Sequence, residues 1–261
     1  MTFQELIDYA IARQASDVHV TVGTACALRR FGKLEILPDA PTAEESKQMI
    51  LESLTDEQKE KVLSGEDLDF ALFANNGFRL RANVYHQRNN IAASYRILNQ
   101  EIPSFEELTI PVPVQKLIDE PRGLVLITGP TGSGKTTTMA SMIDYINRTR
   151  NLHVITIEDP IEYVYYHNKS MIHQREVGKD VDSFAKAVRS ALREDPDIIM
   201  VGEMRDYETI SAAITAAETG HLVISTLHTT SASQTIERIL DAYPPHAQGQ
   251  ARTQLANVLR G

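Results

Sequence analysis

Residues 129–136 read Gly-Pro-Thr-Gly-Ser-Gly-Lys-Thr, which satisfies the phosphate-loop pattern G-x-x-x-x-G-K-[ST] at every fixed position. The glycines allow the backbone to curl so that several amide N–H groups point toward one anion. Lys135 can supply a positive charge to β- and γ-phosphates, and the hydroxyl of Thr136 suits Mg²⁺. The stretch predicts a site for a nucleoside triphosphate and Mg²⁺. The residues predicted to contact the nucleotide are Gly129, Pro130, Thr131, Gly132, Ser133, Gly134, Lys135, Thr136 and Thr137.

The sequence on either side of this loop has the pattern that a phosphate loop needs. Residues 123–128, Gly-Leu-Val-Leu-Ile-Thr, are predicted to form a buried strand. After the loop, apolar residues recur at the i, i+3, i+4, i+7 spacing of an amphipathic helix: Met139, Met142, Ile143 and Ile146. The order of strand, loop and helix argues against an ordinary glycine-rich turn with an exposed lysine.

The rest of the C-terminal part alternates strands with helices. Residues 153–157, 198–201 and 222–226 are predicted strands, and amphipathic stripes lie between them. Repeated β-α units indicate a mainly parallel sheet covered by helices, in which ligands bind at the carboxyl ends of strands. The candidates that follow strands are Glu158, Glu162, Glu203 and His228.

Glu203 comes just after the strand at residues 198–201. A carboxylate there can hold Mg²⁺ through water, or polarise the water that attacks a γ-phosphate. We expect it at the tip of a strand adjacent to that of the phosphate loop. A solvent-facing glutamate is the alternative.

Glu158 and Glu162 flank Pro160 and form a second acidic cluster. They could position the metal or orient water, and the alternative is a helix cap or a solvated cluster. His228 could donate a hydrogen bond to a γ-phosphate. For His221, a structural role and a functional role fit the sequence equally well. Two histidines seven residues apart across a strand do not make a metal site.

The first hundred residues have a different pattern. A helical stripe, several alternating strands and the turn signal Asn75-Asn76-Gly77 predict an α+β segment with an antiparallel sheet. Arg79, Arg81 and Arg96 lie on its last two strands, and they are compatible with a solvated face or with pairing to local carboxylates. We predict domains at residues 1–100 and 114–261, joined by a proline-containing linker at 101–113.

Composition narrows the functional classes. The 261 residues carry a formal net charge of −9, which does not favour nucleic acid or anionic membranes as partners. Cys26 is the only cysteine, which excludes an internal disulfide and a cysteine-based zinc site and fits a reducing cytosol. No signal peptide or membrane-spanning run is visible. Residues 250–261 are predicted to be a helix still in progress, as expected of a fragment of a longer protein.

Together these segments resemble the secretion ATPase superfamily and, within it, the type IV pilus retraction (twitching motility) ATPases. Residues 15–19 resemble its N-terminal signature, 129–137 its Walker A loop and 157–162 its Asp box. Residues 192–206 resemble the extended Walker B motif and 219–232 the His box. Assembly and type II secretion relatives usually carry a four-cysteine zinc element, and the single cysteine argues against that subgroup.

The resemblance implies a homohexameric Mg²⁺-dependent ATPase that drives pilus retraction. It implies an N-terminal PAS-like domain and a C-terminal RecA-like P-loop domain with ATP at their junction. Arg81 and Arg96 match best the arginines that reach the phosphates. The expected partners are an inner-membrane platform protein and the pilus machinery, with the enzyme in the cytoplasm and peripherally attached. The catalytic candidates are Lys135, Glu203, Glu158, Glu162, His228, Arg81 and Arg96, and the Mg²⁺ candidates are Thr136 and Glu203. Relatives continue past residue 261 with a motif needed for retraction.

Three alternatives stay open. A pilus-assembly or type II secretion ATPase is the nearest. A RecA-like hexameric helicase or DNA translocase would need a basic, aromatic-rich channel, and the acidic balance and 6% aromatic content argue against it. A non-hydrolysing nucleotide-binding regulator would not need the full set of catalytic groups.

Overall fold

The computed structural model describes residues 1–98 and 101–261. The predicted end of the first domain, at residue 100, lies outside the described residues. The chain divides into two compact units, Met1–Gln100 and Glu101–Gly261. Within the described ranges, no helix is both long enough and apolar enough to cross a membrane.

The first unit is built on an antiparallel sheet with strand order β3-β2-β1-β6-β5-β4. The elements are α1 (Phe3–Ala12), β1 (Asp17–Thr21), β2 (Ala27–Arg30), β3 (Lys33–Ile36), α2 (Ala43–Glu52), α3 (Asp56–Leu63), β4 (Leu68–Phe73), β5 (Arg79–Gln87) and β6 (Asn90–Ile97). Each helix begins at a threonine whose hydroxyl accepts a backbone N–H of the first turn: Thr2, Thr42 and Thr55. The predicted antiparallel sheet is confirmed.

Side chains alternate between the two faces of this sheet. Val18, Leu80 and Tyr95 are fully buried in one core with residues of the helices. The opposite face is polar. On it, Arg96 of β6 lies between Asp17 of β1 and Arg81 of β5, its paired residues on the two neighbouring strands. Arg81 and Arg96 therefore share one solvated face.

The second unit contains a wholly parallel sheet with strand order β7-β11-β10-β8-β9. The elements are α4 (Val112–Leu117), β7 (Gly123–Thr128), α5 (Lys135–Thr149), β8 (His153–Glu158), β9 (Met171–Glu176), α6 (Phe184–Ala191), β10 (Ile198–Val201), α7 (Tyr207–Glu218), β11 (Leu222–Leu227), α8 (Ala232–Asp241) and α9 (Gln248–Val258). The predicted parallel sheet is confirmed.

Both faces of the parallel sheet are covered, which explains why its central strands β10 and β11 are buried along their whole length. Alternate residues of β10 enter different cores: Ile199 packs with α6 and α7, whereas Met200 packs with α5. The apolar stripe predicted for α5 is buried in this second core. Phe105 enters the same core and stacks on Tyr145 with ring centroids 4.8 Å apart, so the segment from residue 101 packs with the second unit.

One expected element of this unit is wrong, and one strand was missed. The helix predicted to run through residue 261 ends at Val258, and the chain then extends beside β7, where Arg260 N–H donates to Leu124 O at 2.9 Å. The backbone N–H and C=O groups that a longer helix would have paired internally are instead paired with this strand. The strand β9 was not predicted at all, because the face it buries is partly polar and gives no hydrophobic alternation.

Candidate nucleotide-binding site

The predicted phosphate loop connects β7 to α5. Gly132 and Gly134 have φ angles of 78° and 88°, a left-handed conformation that side chains disfavour. A Cβ added at Gly129 would lie 2.5 Å from Ser133 Oγ, so a side chain here would displace Ser133 within the loop. The loop is exposed from Pro130 to Gly134, and its backbone lies at the N-terminus of α5, where the helix dipole favours an anion.

Lys135 is the first residue of α5 and is only 8% exposed. Its ammonium donates to the carbonyl oxygens of Gly129 and Pro130, each at 2.9 Å. A nearly buried ammonium needs such partners. These bonds hold its charge directly over the loop that would receive phosphate.

The parallel arrangement brings the carboxyl ends of β7, β11, β10 and β8 to one edge of the sheet. The expectation that Glu203 follows a strand adjacent to β7 is wrong, because β11 lies between β7 and β10. Pairing of β7 with β11 is a long-range contact that local spacing cannot reveal. The segment after β10 is nevertheless tied to β11, since Met204 N–H donates to Thr226 O at 3.1 Å.

Glu203 and His228 come together at this edge. Glu203 Oε2 lies 3.4 Å from His228 Nε2 and 2.8 Å from Arg205 Nε. The side chain of Glu203 is 19% exposed, so it is not the solvent-facing glutamate of the alternative reading. Arg205 is a site residue that sequence reasoning missed, although it lies in the segment resembling Walker B.

Glu158 ends β8 and is fully enclosed. Its Oε1 accepts hydrogen bonds from Thr156 Oγ1 at 2.6 Å and from Gln174 Nε2 at 3.1 Å. Burial raises the pKa of Glu158 to about 7, although these bonds and one from the Glu162 backbone N–H favour the ionised form. This carboxyl group can therefore gain or lose a proton near neutral pH.

The acidic segment after β8 is held against the phosphate-loop helix. Tyr163 OH lies 3.3 Å from the hydroxyl of Thr137. Gln174 and Glu176 of β9 bind the backbone of this segment, through Tyr163 O, Tyr165 N–H and Ile161 N–H. Sequence reasoning missed these contacts because it did not predict β9.

The arginine candidates pair with carboxylates of their own unit. Arg81 contacts both oxygens of Asp69, at 3.2 Å and 2.7 Å, and Arg96 Nε donates to Asp17 Oδ1 at 3.0 Å. Their side chains are 43% and 65% exposed. Exposed ion pairs are worth at most about 1 kcal/mol. Each of these two ion pairs therefore contributes little to stability.

Two further candidates have clear local roles. His221 lies beside the end of α7, with Nδ1 3.0 Å from Ala216 O, so it acts at a helix terminus. Arg79 is 8% exposed and its guanidinium lies 5.2 Å from the ring centroid of Phe73.

The donor set fits Mg²⁺ bound mainly by phosphate and water. Among the described residues, no cluster of three or more His, Cys, Asp or Glu is arranged to hold a metal ion. Mg²⁺ with a nucleotide commonly takes one or two protein oxygens and keeps waters and phosphate oxygens as its other ligands. The half-buried hydroxyl of Thr136 and the carboxylate of Glu203 suit that requirement.

A glycine-rich loop between a strand and a helix, beside a parallel sheet covered on both faces, is the arrangement of the phosphate-loop class of α/β proteins. The chain belongs to the type II/IV secretion system protein family, whose model matches residues 1–256. It is 43% identical over its whole length to a type IV pilus retraction ATPase, PilT of Pseudomonas aeruginosa, and covers 76% of that protein. It is 41% identical, again over its whole length, to YggR of Escherichia coli, of which it covers 79%. A crystal structure of the pilus retraction motor PilT with bound ADP superposes with a TM-score of 0.96 at 49% identity, over 100% of this chain and 77% of that one.

Proposed function

We propose that this chain is a motor ATPase that hydrolyses ATP to drive retraction of a type IV pilus. The observation that carries the proposal is the phosphate loop, with Lys135 held over it and Glu203 at the same edge of the sheet. The relatives whose names include pilus retraction match the whole of this chain and supply the biological role. The direction of force, retraction rather than assembly, rests on those relatives.

We assign the groups as follows. The loop amides and Lys135 bind the β- and γ-phosphates, and Thr136 and Glu203 hold Mg²⁺, in part through water. When bound, Mg²⁺ offsets charge on the phosphate oxygens. Glu203 orients the attacking water or accepts its proton, and His228 donates a hydrogen bond toward the γ-phosphate. Glu158 and Glu162 orient water from the neighbouring strand end.

The first unit is proposed to be PAS-like and the second RecA-like, with the domain boundaries given above. Arg81 and Arg96 are proposed to offset charge that develops on the γ-phosphoryl group, as arginine fingers do. Their ion pairs with Asp69 and Asp17 are exposed and weak, which is compatible with this role. We propose a homohexamer in the cytoplasm, held at the inner membrane by a pilus platform protein.

The activity is tested by measuring the release of inorganic phosphate from ATP in the presence of Mg²⁺. Lys135→Ala should lower turnover by about a hundredfold or more. Glu203→Gln should keep nucleotide binding and lower turnover by about 10²–10⁴-fold, the range typical of a lost general base. Lys186→Ala and Glu237→Gln, at exposed positions of the same unit, are the matched controls and should keep wild-type rates. Wild-type turnover by Glu203→Gln would refute its role, and restoration of twitching in a retraction-deficient strain tests the pilus assignment.

A further inference from the structure

We propose that Gln174 is a positioning residue of the ATPase site, whose single amide fixes the Glu158 carboxylate and the Tyr163 segment in one arrangement against the phosphate loop. This inference rests on the proposed function. It adds a residue to which neither the catalytic pattern nor the loop pattern assigns a role.

The strand register places Gln174 for this task. β9 pairs with β8 in parallel, with Gln174 opposite Thr156 and Glu176 opposite Glu158. Paired residues share a face, so all four side chains point to the same side of the sheet. That side carries the acidic segment that follows β8.

The amide of Gln174 uses both of its ends. Its Nε2 donates to Glu158 Oε1 at 3.1 Å and to Tyr163 O at 2.8 Å, while its Oε1 accepts from Tyr165 N–H at 2.8 Å. A carboxylate could not donate, and an apolar side chain could do neither. Only an amide of this length satisfies the three partners together.

These bonds join two parts of the site. On one side, Gln174 holds the buried Glu158. On the other, it holds the backbone of Tyr163, whose hydroxyl lies 3.3 Å from Thr137 in the first turn after the phosphate loop. The order of contacts is Glu158, Gln174, Tyr163 and Thr137, so a displaced amide would move the acid and the tyrosine together.

The segment has other anchors, so loss of Gln174 should not detach it. Glu176 Oε2 accepts the Ile161 N–H at 3.0 Å, and Asn147 Nδ2 donates to Tyr166 O at 2.7 Å. Neither of these anchors donates to Glu158. A variant of Asn147 is therefore the matched control. It weakens the anchoring of the segment without removing a hydrogen bond to Glu158.

The donated bond favours the ionised form of Glu158, which is the form that can orient water. Gln174→Glu removes both donated bonds and sets a second carboxylate beside the first. We expect kcat to fall about tenfold or more, while the ATP dissociation constant changes less than about threefold. We also expect the acid limb of the kcat–pH profile to move to higher pH. Gln174→Leu should act in the same direction.

Asn147→Ala removes an anchor of the same segment and should lower thermal stability without moving the acid limb. A purely structural anchor would lower kcat without moving the acid limb of the kcat–pH profile. That result for both Gln174→Glu and Gln174→Leu would overturn the proposal. The pH dependence of unfolding of the nucleotide-free protein gives a second readout. In Gln174→Leu, the pH at which Glu158 ionises should rise, and an unchanged value would also overturn it.

The two readouts keep this inference distinct from the proposed function. Absence of ATP hydrolysis by the wild-type protein would refute the function, and the unfolding measurement would still decide whether Gln174 controls the ionisation of Glu158. If Gln174→Glu does not fold, Gln174→Leu carries both measurements, because its side chain adds no charge to the buried face.

Discussion

Replacing Glu158 by glutamine should remove a pH-dependent loss of stability from the second unit. Glu158 is 5% exposed and its pKa is raised by burial to about 7 from an ordinary value of 4.5. Between these two values the folded chain keeps a proton on this carboxyl group that the unfolded chain has already released. Stability from the protonated group is therefore complete below about pH 4.5 and is lost as the pH rises through about 7.

The magnitude follows from the two pKa values. A tenfold change in an equilibrium constant corresponds to about 1.4 kcal/mol, so the full effect is about 3 kcal/mol. Between about pH 5 and about pH 8.5 most of it, about 2.5 kcal/mol, should appear as a fall in the free energy of unfolding. Glutamine has nearly the same shape, can accept from Thr156 and Gln174, and does not ionise.

The assay is urea denaturation of wild type, Glu158→Gln and Glu237→Gln at a series of pH values. Glu237 is exposed on α8 and gives the same change of charge without burial. The difference in the free energy of unfolding between wild type and Glu158→Gln isolates the effect of the buried carboxyl group, because the contributions of the other titrating groups cancel. Glu158→Gln should gain stability relative to wild type as the pH rises, and Glu237→Gln should not. Parallel stability–pH curves for wild type and Glu158→Gln would refute the reasoning.

Three further predictions concern the loop, the core and the arginines. Gly129→Ala should weaken binding of a fluorescent ATP analogue by about tenfold or more, because the added Cβ meets Ser133 Oγ at 2.5 Å; unchanged affinity would contradict this. Ile143→Ala should lower the free energy of unfolding by about 2–5 kcal/mol in urea, because Ile143 is fully buried between α5 and the sheet; a loss below about 1 kcal/mol would show a poorly packed core. Arg81→Ala should lower kcat about tenfold or more and change stability by less than about 1 kcal/mol, whereas the similarly paired Arg30→Ala should leave kcat unchanged; equal rates for both variants would remove Arg81 from the site.

Some features of this chain depend on residues close in the sequence, and others depend on long-range contacts. The phosphate loop, the strand before it and the apolar stripe of α5 could be predicted because each depends on residues close in the chain. The same holds for the position of Glu203 just after a strand. Glycines that adopt left-handed φ angles and apolar residues at helical spacing act through local geometry, which the sequence displays directly.

The order of the strands in the parallel sheet was decided only by tertiary structure. Local patterns identify strands but not their neighbours, so the placement of β11 between the loop strand and β10 was not foreseen. That order is what brings His228 beside Glu203. Arg205 also joined the site only once side-chain directions were known.

By itself, the sequence determined the phosphate-loop pattern, the alternation of β and α elements and the strand ends at which the candidate residues lie. Tertiary structure alone decided that β9 exists and that Gln174 joins Glu158 to the Tyr163 segment. The physical reason is that β9 buries polar side chains, whose burial is stabilised by hydrogen bonds to distant residues rather than by apolar contact. Such burial leaves no hydrophobic periodicity in the sequence.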